Sequence, residues 1–584
     1  MTSLIDAESL LVIDVGSITT RAILFDVVDG RYRFVAAGTA ATTASAPYHN
    51  ISEGVRLALD ELKLVTGKAF IGPDEQLILP TAADGSGVDS FAAVISVGEP
   101  LQVVVVGLLE DISLESARRL AATTYAKVVQ TISLNDRRKT DARLNTIVRS
   151  RPDLIIAAGG TDNGAAQSVI KLLEAVGLAG YLQPQRQRPE VLFVGNQAIQ
   201  PEIRSTFEGM MNLHFAPNIR PTLDQEQLDV AQAELARIYC HLRSQQVPGV
   251  SELNTWAGGG LAPGATAFSR VIRFLSKELA SKKGVLGVNL GASAAVIAAA
   301  FDGDLSLGVF PQFGLGARLP DMLEQVSLRE IMRWLSIETT EDELRNYIYN
   351  KALYPASLPA SAEEMAIEQA LSRQAIYSAT RWAARNFSAQ AVSAGEGLLP
   401  WFEAIVATGS AVAQAPNLAQ SALILLDGVQ PCGVATLVLD QNQIAPALGA
   451  AAAVNPLLVV QVLESNAFLH LGTVIAPVGH ARPGSPILRL KVTYESGHEA
   501  SLEVKQGALE VVPLPAGQTA RLQLHPLHRC DVGMGAPGRG GALRVSGGAL
   551  GLIIDARGRP LALPEDRNRR KELYRKWLWT LGGQ

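Results

Sequence analysis

The sequence predicts an α/β protein of two similar lobes, with a doubly wound α/β domain inserted and a small β-rich domain at the C-terminal end. Three observations carry this. Two glycine-turn motifs share one construction: LLVIDVGSITT, Leu10 to Thr20, and VLGVNLGASAA, Val285 to Ala295. Each is an apolar strand, then Asp or Asn, one residue, Gly, and a small or hydroxylated residue. Each continues into a second strand (RAILFD, AVIAAAF), a turn (Asp29-Gly30, Asp302-Gly303) and a third strand. Secondly, apolar runs alternate with helical patterns over residues 85–215, the rhythm of a parallel sheet. Thirdly, from about residue 471 short alternating strands sit between Gly and Pro turns.

Composition bounds the rest. The 584 residues suffice for several domains, and 48% apolar against 18% charged residues permits large cores. The net charge of −5 offers no basic footprint, so nucleic acid is not an expected partner. The N-terminal MTSLIDAESL lacks signal-peptide character, and no apolar run is long enough to span a membrane. Three scattered cysteines (Cys240, Cys432, Cys530) argue against a disulfide framework. A cytoplasmic protein is expected.

Taken in order, residues 1–84 hold the first strand–turn–strand unit and a helix, SEGVRLALDELKLVTG. Its Val55, Leu59, Leu62 and Val65 recur at helical spacing, with Ser52 the expected N-cap. Residues 85–215 form the inserted domain: strands in LQVVVVGL, KVVQTIS, DLIIAAGG and VLFVGN, separated by helices, the first with Ser113 as its expected cap. Ligands of such sheets bind beyond the carboxyl ends of the strands, which places Gly159, Gly160, Thr161, Asp162 and Asn196 at a candidate crevice and makes Gly159-Gly160-Thr161-Asp162 a possible second ligand turn. Residues 216–470 contain a helical segment, the loop Gly258-Gly259-Gly260, the second strand–turn unit and a long helical stretch. Residues 471–584 read as the β-rich domain followed by a charged terminal helix, RNRRKELYRKWLWTL, whose Trp577 and Trp579 offer anchors.

The chemistry lies in the paired turns. Gly16 and Gly291 let the backbone approach a ligand, and free turn N–H groups can hold phosphate oxygens. Asp14 would hold a phosphate-bound Mg²⁺ through its water shell, with Ser17 and Thr19 adding hydroxyl donors. Alone, Asp-x-Gly-Ser is a common turn. The order along the chain is more specific: Asp14-Val15-Gly16-Ser17, then Asn289 with Gly291-Ala292-Ser293, then a strand ending in Gly409-Ser410, then Gly449 on a helix. This order resembles the actin/hexokinase/heat-shock-chaperone ATPases: phosphate loop one, phosphate loop two, adenosine loop, connecting helix. It implies binding of ATP or ADP with Mg²⁺. Asn289 departs from the Asp of that pattern. It can hydrogen-bond but carries no charge and cannot act as a general base, so weak or absent hydrolysis is expected. HPLHRC (His525, His528, Cys530) has metal-ligand residue types but not the spacing of a closed metal site.

Further stretches bring a narrower resemblance. IDVGSITTRAILFD, LQVVVVGL, RPDLIIAAGGTDNG, VLFVGN, GVLGVNLGASAAV and LLDGVQPCGVATLVLD…LGAAAAVNP are similar to the glutamate mutase accessory proteins of the MutL/GlmL type. RPDLIIAAGGTDNG is the most specific of these, since generic actin-like ATPases lack it. The resemblance implies an actin-like fold and association with subunits of an adenosylcobalamin-dependent mutase in a chaperone or reactivating role. It places Asp14, Gly16, Ser17 and Thr19 in phosphate loop one, Gly291, Ala292 and Ser293 in loop two, and Gly409 and Ser410 in the adenosine loop. SVGEPLQ stands where family members tend to have a Gly-rich stretch. The inserted domain has the topology type of cobalamin-binding domains but lacks their Asp-x-His-x-x-Gly. Two other readings stay open: a non-catalytic scaffold on a degenerate actin-like fold, which Asn289 favours, and a small-molecule kinase, for which Asp14 is the only catalytic candidate.

Overall fold

The computed structural model describes residues 8–279, 281–393, 395–479 and 481–583. The first lobe begins with an antiparallel meander, β1 (Leu10–Val15), β2 (Thr19–Val28) and β3 (Arg31–Ala41), and β4 (Ser90–Ile95) lies parallel to β1. The strands alternate between two cores: Leu11, Ile13 and Val15 face one, Leu10 and Val12 the other. The helix Ser52–Thr66 covers the first core with Val55, Leu59 and Leu62, while Val65 is exposed. Ser52 does not cap this helix. The Asn50 side chain accepts from the Ser52 N–H, and the Ser52 hydroxyl donates instead to Glu252.

The insert follows as a five-stranded, wholly parallel sheet: β5 (Leu101–Gly107), β6 (Ala126–Ser133), β7 (Leu154–Ala158), β8 (Glu190–Phe193) and β9 (Asn212–Phe215), in the order β6-β5-β7-β8-β9. Both faces are buried: Val103 and Val105 point into the first core, Val104 and Val106 into a core of the insert's own. Ser113 lies inside a turn of π-helix (Glu110–Leu114) rather than at a cap, its hydroxyl bonded to the Leu109 main chain. After the helix Asp229–Gln246, a two-residue strand, β10 (Ala262–Pro263), returns to pair with β4. The first sheet therefore takes strands from either side of the insert, and β4 lies beyond residue 84.

The second lobe repeats the first. β11 (Gly284–Leu290), β12 (Ala295–Phe301) and β13 (Asp304–Phe310) form the meander, β14 (Phe402–Thr408) lies parallel to β11, and β15 (Gly433–Leu439) lies parallel to β14, as β10 does to β4. A helix follows each of these two strands, Gly264–Glu278 after β10 and Ala445–Ala451 after β15, and the two pack against each other between the lobes.

The C-terminal segment does not stand apart. β16 (Leu469–Ala476) pairs antiparallel with β15. Of the strands that follow, β17 (Pro486–Tyr494), β18 (Glu499–Lys505), β19 (Leu509–Val512), β20 (Thr519–Pro526), β21 (Gly541–Ser546) and β22 (Leu552–Asp555), four form the sheet β18-β17-β20-β21. The other two extend the second lobe's sheet to eight strands, β22 beside β16 and β19 beside β22. The cause is legible in the residues: Leu552, Ile553 and Ile554 are all buried, Ile553 in the lobe's core and its neighbours against the small sheet. The terminal helix Arg567–Thr580 is capped by Asp566 and docks through buried Trp577, whereas Trp579 is 79% exposed.

Candidate functional site

The two glycine turns close in the same way. The Gly16 N–H donates to the Thr19 carbonyl at 2.9 Å, and the Gly291 N–H to the Ala294 carbonyl at 3.1 Å. Strand registers match residue for residue: Asp14 stands opposite Arg21, and Asn289 opposite Val296. The second lobe therefore lacks both charges of the Asp14–Arg21 position, not only the carboxylate.

The lobes bring the turns face to face. One cavity of about 130 Å³ is lined by Asp14, Gly16, Ser17 and Thr19 from the first lobe. Asn289, Gly291, Ala292, Ser293, Gly409 and Ser410 line it from the second. Gly409 has a φ of +97°, and a Cβ there would meet the Leu290 carbonyl at 2.2 Å, so only glycine fits between the strand ends. Gly449 does not reach the cavity. It lies in the crossing of the two inter-lobe helices, where a Cβ would come within 1.8 Å of the Ala267 carbonyl.

Arg21, Tyr125 and Ser96 also line the cavity without having carried a motif, and Asp440 supports it without lining it. Arg21 extends from β2 across the cavity floor to the main-chain carbonyls of Asn442 and Gln443, strapping the first lobe to the second. Asp440, fully buried, accepts from Thr408 Oγ1 at 2.9 Å and from the Ile444 and Ala445 N–H groups at 2.9 and 2.7 Å, which fixes the start of the helix Ala445–Ala451. Tyr125 enters from the insert, just before β6, and Ser96 from the end of β4. The signals were present: Arg21 is the one cation of its strand and directly follows the glycine turn, and TLVLD repeats the strand–Asp grammar of LVID.

Electrostatics centre on Asp14. Burial raises its pKa to about 6; Arg21 opposes the rise and Asp440 adds to it. Burial also raises Asp440, against its three hydrogen bonds and Arg21. Burial lowers Arg21, and the two carboxylates oppose that. Burial keeps the Tyr125 hydroxyl protonated well above its ordinary range.

The turn Gly159–Asp162 sits at the carboxyl end of β7 but is satisfied internally. Asn218 Nδ2 donates to the Gly160 carbonyl and to Asp162 Oδ1, each at 3.0 Å, and the Asp162 N–H donates to Pro221. A Cβ on Gly159 would fall 2.8 Å from Leu108, so its glycine serves close packing. Thr161 closes the turn by accepting from the Gly164 N–H, and the Asn196 N–H bonds the Gly159 carbonyl.

Two duplicated hairpin lobes, crossed helices between them and a shared cleft lined by both glycine turns define the two-lobed fold of the actin/hexokinase/heat-shock-chaperone type. The family model described as MutL protein matches residues 10–467, and the chain belongs to that family. Protein MutL of Clostridium tetanomorphum is 23% identical over 210 residues, 35% of this chain and 43% of that relative, so the match spans less than half of the curated relative. Among solved structures, component A of the (R)-2-hydroxyglutaryl-CoA dehydratase of Acidaminococcus fermentans is 9% identical, with 76% of this chain and 97% of that one covered, at a TM-score of 0.26. The gluconate kinase of Lactobacillus acidophilus is 10% identical, with 78% and 91% covered, at 0.27. The ATP-dependent caprolactamase of Pseudomonas jessenii is 11% identical, with 85% and 81% covered, at 0.29.

Proposed function

We propose that the cleft binds ATP or ADP with Mg²⁺, turns it over weakly or not at all, and thereby serves an adenosylcobalamin-dependent mutase as an accessory protein of the chaperone or reactivating kind. One observation carries the nucleotide reading: two copies of the same glycine hairpin, Asp14–Thr19 and Asn289–Ala294, one from each lobe, line one cavity together with Gly409 and Ser410. The residues suit phosphate. Gly16 and Gly291 expose main chain, the Thr19 side chain is exposed to the cleft, and a Cβ on Gly409 would collide with the neighbouring strand. The volume of about 130 Å³ holds a phosphate-sized group, whereas pockets for whole ligands run to about 300–1,000 Å³. Entry of a nucleotide therefore requires the lobes to part, the hinge motion by which nucleotide state would act on a docked partner.

Asp14 would hold Mg²⁺ through water, and its raised pKa makes that capacity grow as pH rises through about 6. Bound Mg²⁺ would neutralise phosphate charge. Arg21 braces Asp14 from across the hairpin, and Asp440 holds the helix start behind them. In the second lobe, Asn289 with Val296 opposite supplies neither a base nor its counter-charge, which is the ground for slow turnover. Family membership supports the mutase as partner.

Calorimetric titration with ATP and ADP, with and without Mg²⁺, tests this, with phosphate release followed in the same samples. Mg²⁺-dependent binding with little release is expected, and faster release in Asn289→Asp. Absence of binding to both nucleotides would leave the paired hairpins as structural remnants and favour a scaffold. Pull-down of mutase subunits in the ATP and ADP states tests the partner.

A further inference from the structure

A second cavity, of about 500 Å³, lies beyond the hairpin tips. Ser17, Ile18, Ala292 and Ser293 line both cavities, whereas Gly409 and Ser410 line only the first. The second cavity therefore sits on the side of the tips away from the adenosine loop. Three separate segments contribute to it: the link from β4 to β5, the end of the helix Asp229–Gln246, and the second-lobe loop around Arg318.

Its wall contains a cation without a counter-charge. Arg243 is 3% exposed, and no carboxylate pairs with it among the described residues. One Nη donates to Gln246 Oε1 at 2.6 Å, the other to the Glu99 carbonyl, Nε has no hydrogen-bond partner, and the guanidinium lies 5.0 Å from the centre of the Tyr239 ring. Gly98, at a φ of +95°, lies against the guanidinium, which a Cβ there would approach to 3.2 Å. The carboxylates nearby are engaged elsewhere. Glu99 pairs with Arg318 at 3.0 Å, and Asp153 accepts from the Gln102 N–H and from Gln246 Nε2, both at 2.7 Å. Burying an arginine without an anion is unfavourable, and an anionic ligand would relieve it.

We infer that this chamber binds a small organic anion, a carboxylate- or phosphate-bearing metabolite, through Arg243. The volume falls within the range of small-molecule sites. That the anion lies next to nucleotide phosphate rests on the nucleotide reading; the site itself does not.

The test is calorimetric titration of the full chain with succinate and, separately, inorganic phosphate, in parallel with ATP and Mg²⁺. Wild type is expected to bind at least one anion saturably. Arg243→Met should weaken it tenfold or more with nucleotide binding retained. Ala317→Phe, which adds bulk at an exposed lining position and leaves Arg243 in place, should weaken it comparably and decides the matter if Arg243→Met does not fold. Failure of both anions to bind overturns the inference, as does anion binding that survives both substitutions, since it would then belong to the hairpins. Anion binding without nucleotide binding would sink the nucleotide reading and leave this one standing.

Discussion

At the scale of single residues the cleft trades stability for chemistry. Asp14 titrates near 6 in the folded protein against about 4 in an unfolded chain, so the folded state holds the extra proton between those values. Stability should therefore fall as pH rises from about 4 to about 6, by up to about 3 kcal/mol, and level off above. Asp14→Asn removes that penalty. Its melting temperature should exceed wild type above pH 6, while Mg²⁺-dependent nucleotide affinity collapses; a melt series across pH with parallel titrations checks both. The sequence showed Asp14 because a glycine turn follows it. Asp440 repeats the strand–Asp pattern but stood out less because no glycine turn follows it, and nothing local marked Tyr125, which reaches the cleft from the insert. Such residues become site residues only through packing between distant segments.

At the scale of elements, the repeated hairpin was legible because a period-2 apolar strand and a glycine turn are both local signals. Its two glycines and Gly449 differ in what they do. Gly291 has no atom nearer than 3.7 Å to a would-be Cβ, so Gly291→Ala should leave the unfolding midpoint almost unchanged while weakening nucleotide binding by crowding the ligand. Gly449→Ala forces apart two helices that touch main chain to main chain, and should cost about 1–3 kcal/mol in urea unfolding. The role of Gly449 in a helix crossing was hidden because no sequence pattern reports which helix faces it. The caps misread for the same reason: the Ser52 hydroxyl had a partner two hundred residues away in Glu252.

At the scale of the whole molecule, the chain's last fifth is bound into the second lobe by buried charge. Arg373 pairs with Asp427 at 2.9 Å, Asp427 with Arg557 at 2.7 Å, and Arg557 and Arg559 with Asp555 at 2.8 and 2.7 Å. Burial alone would raise Asp555, but the two arginines outweigh it and hold the carboxyl far below its usual range. Asp555→Ala leaves the buried Arg559 without its carboxylate and Arg557 with Asp427 alone, and should destabilise the protein by about 3–5 kcal/mol, read as a lowered denaturant midpoint. The sequence showed short strands after residue 471 but not which sheet would claim them, since strand partners are chosen by long-range pairing. That sharing has a consequence for synthesis. On a translating ribosome the second lobe cannot finish its sheet until β22 has cleared the exit tunnel, nearly the whole chain later than β1. Until then β16 presents an open edge, so the nascent chain needs protection from aggregation longest in the lobe that is started last.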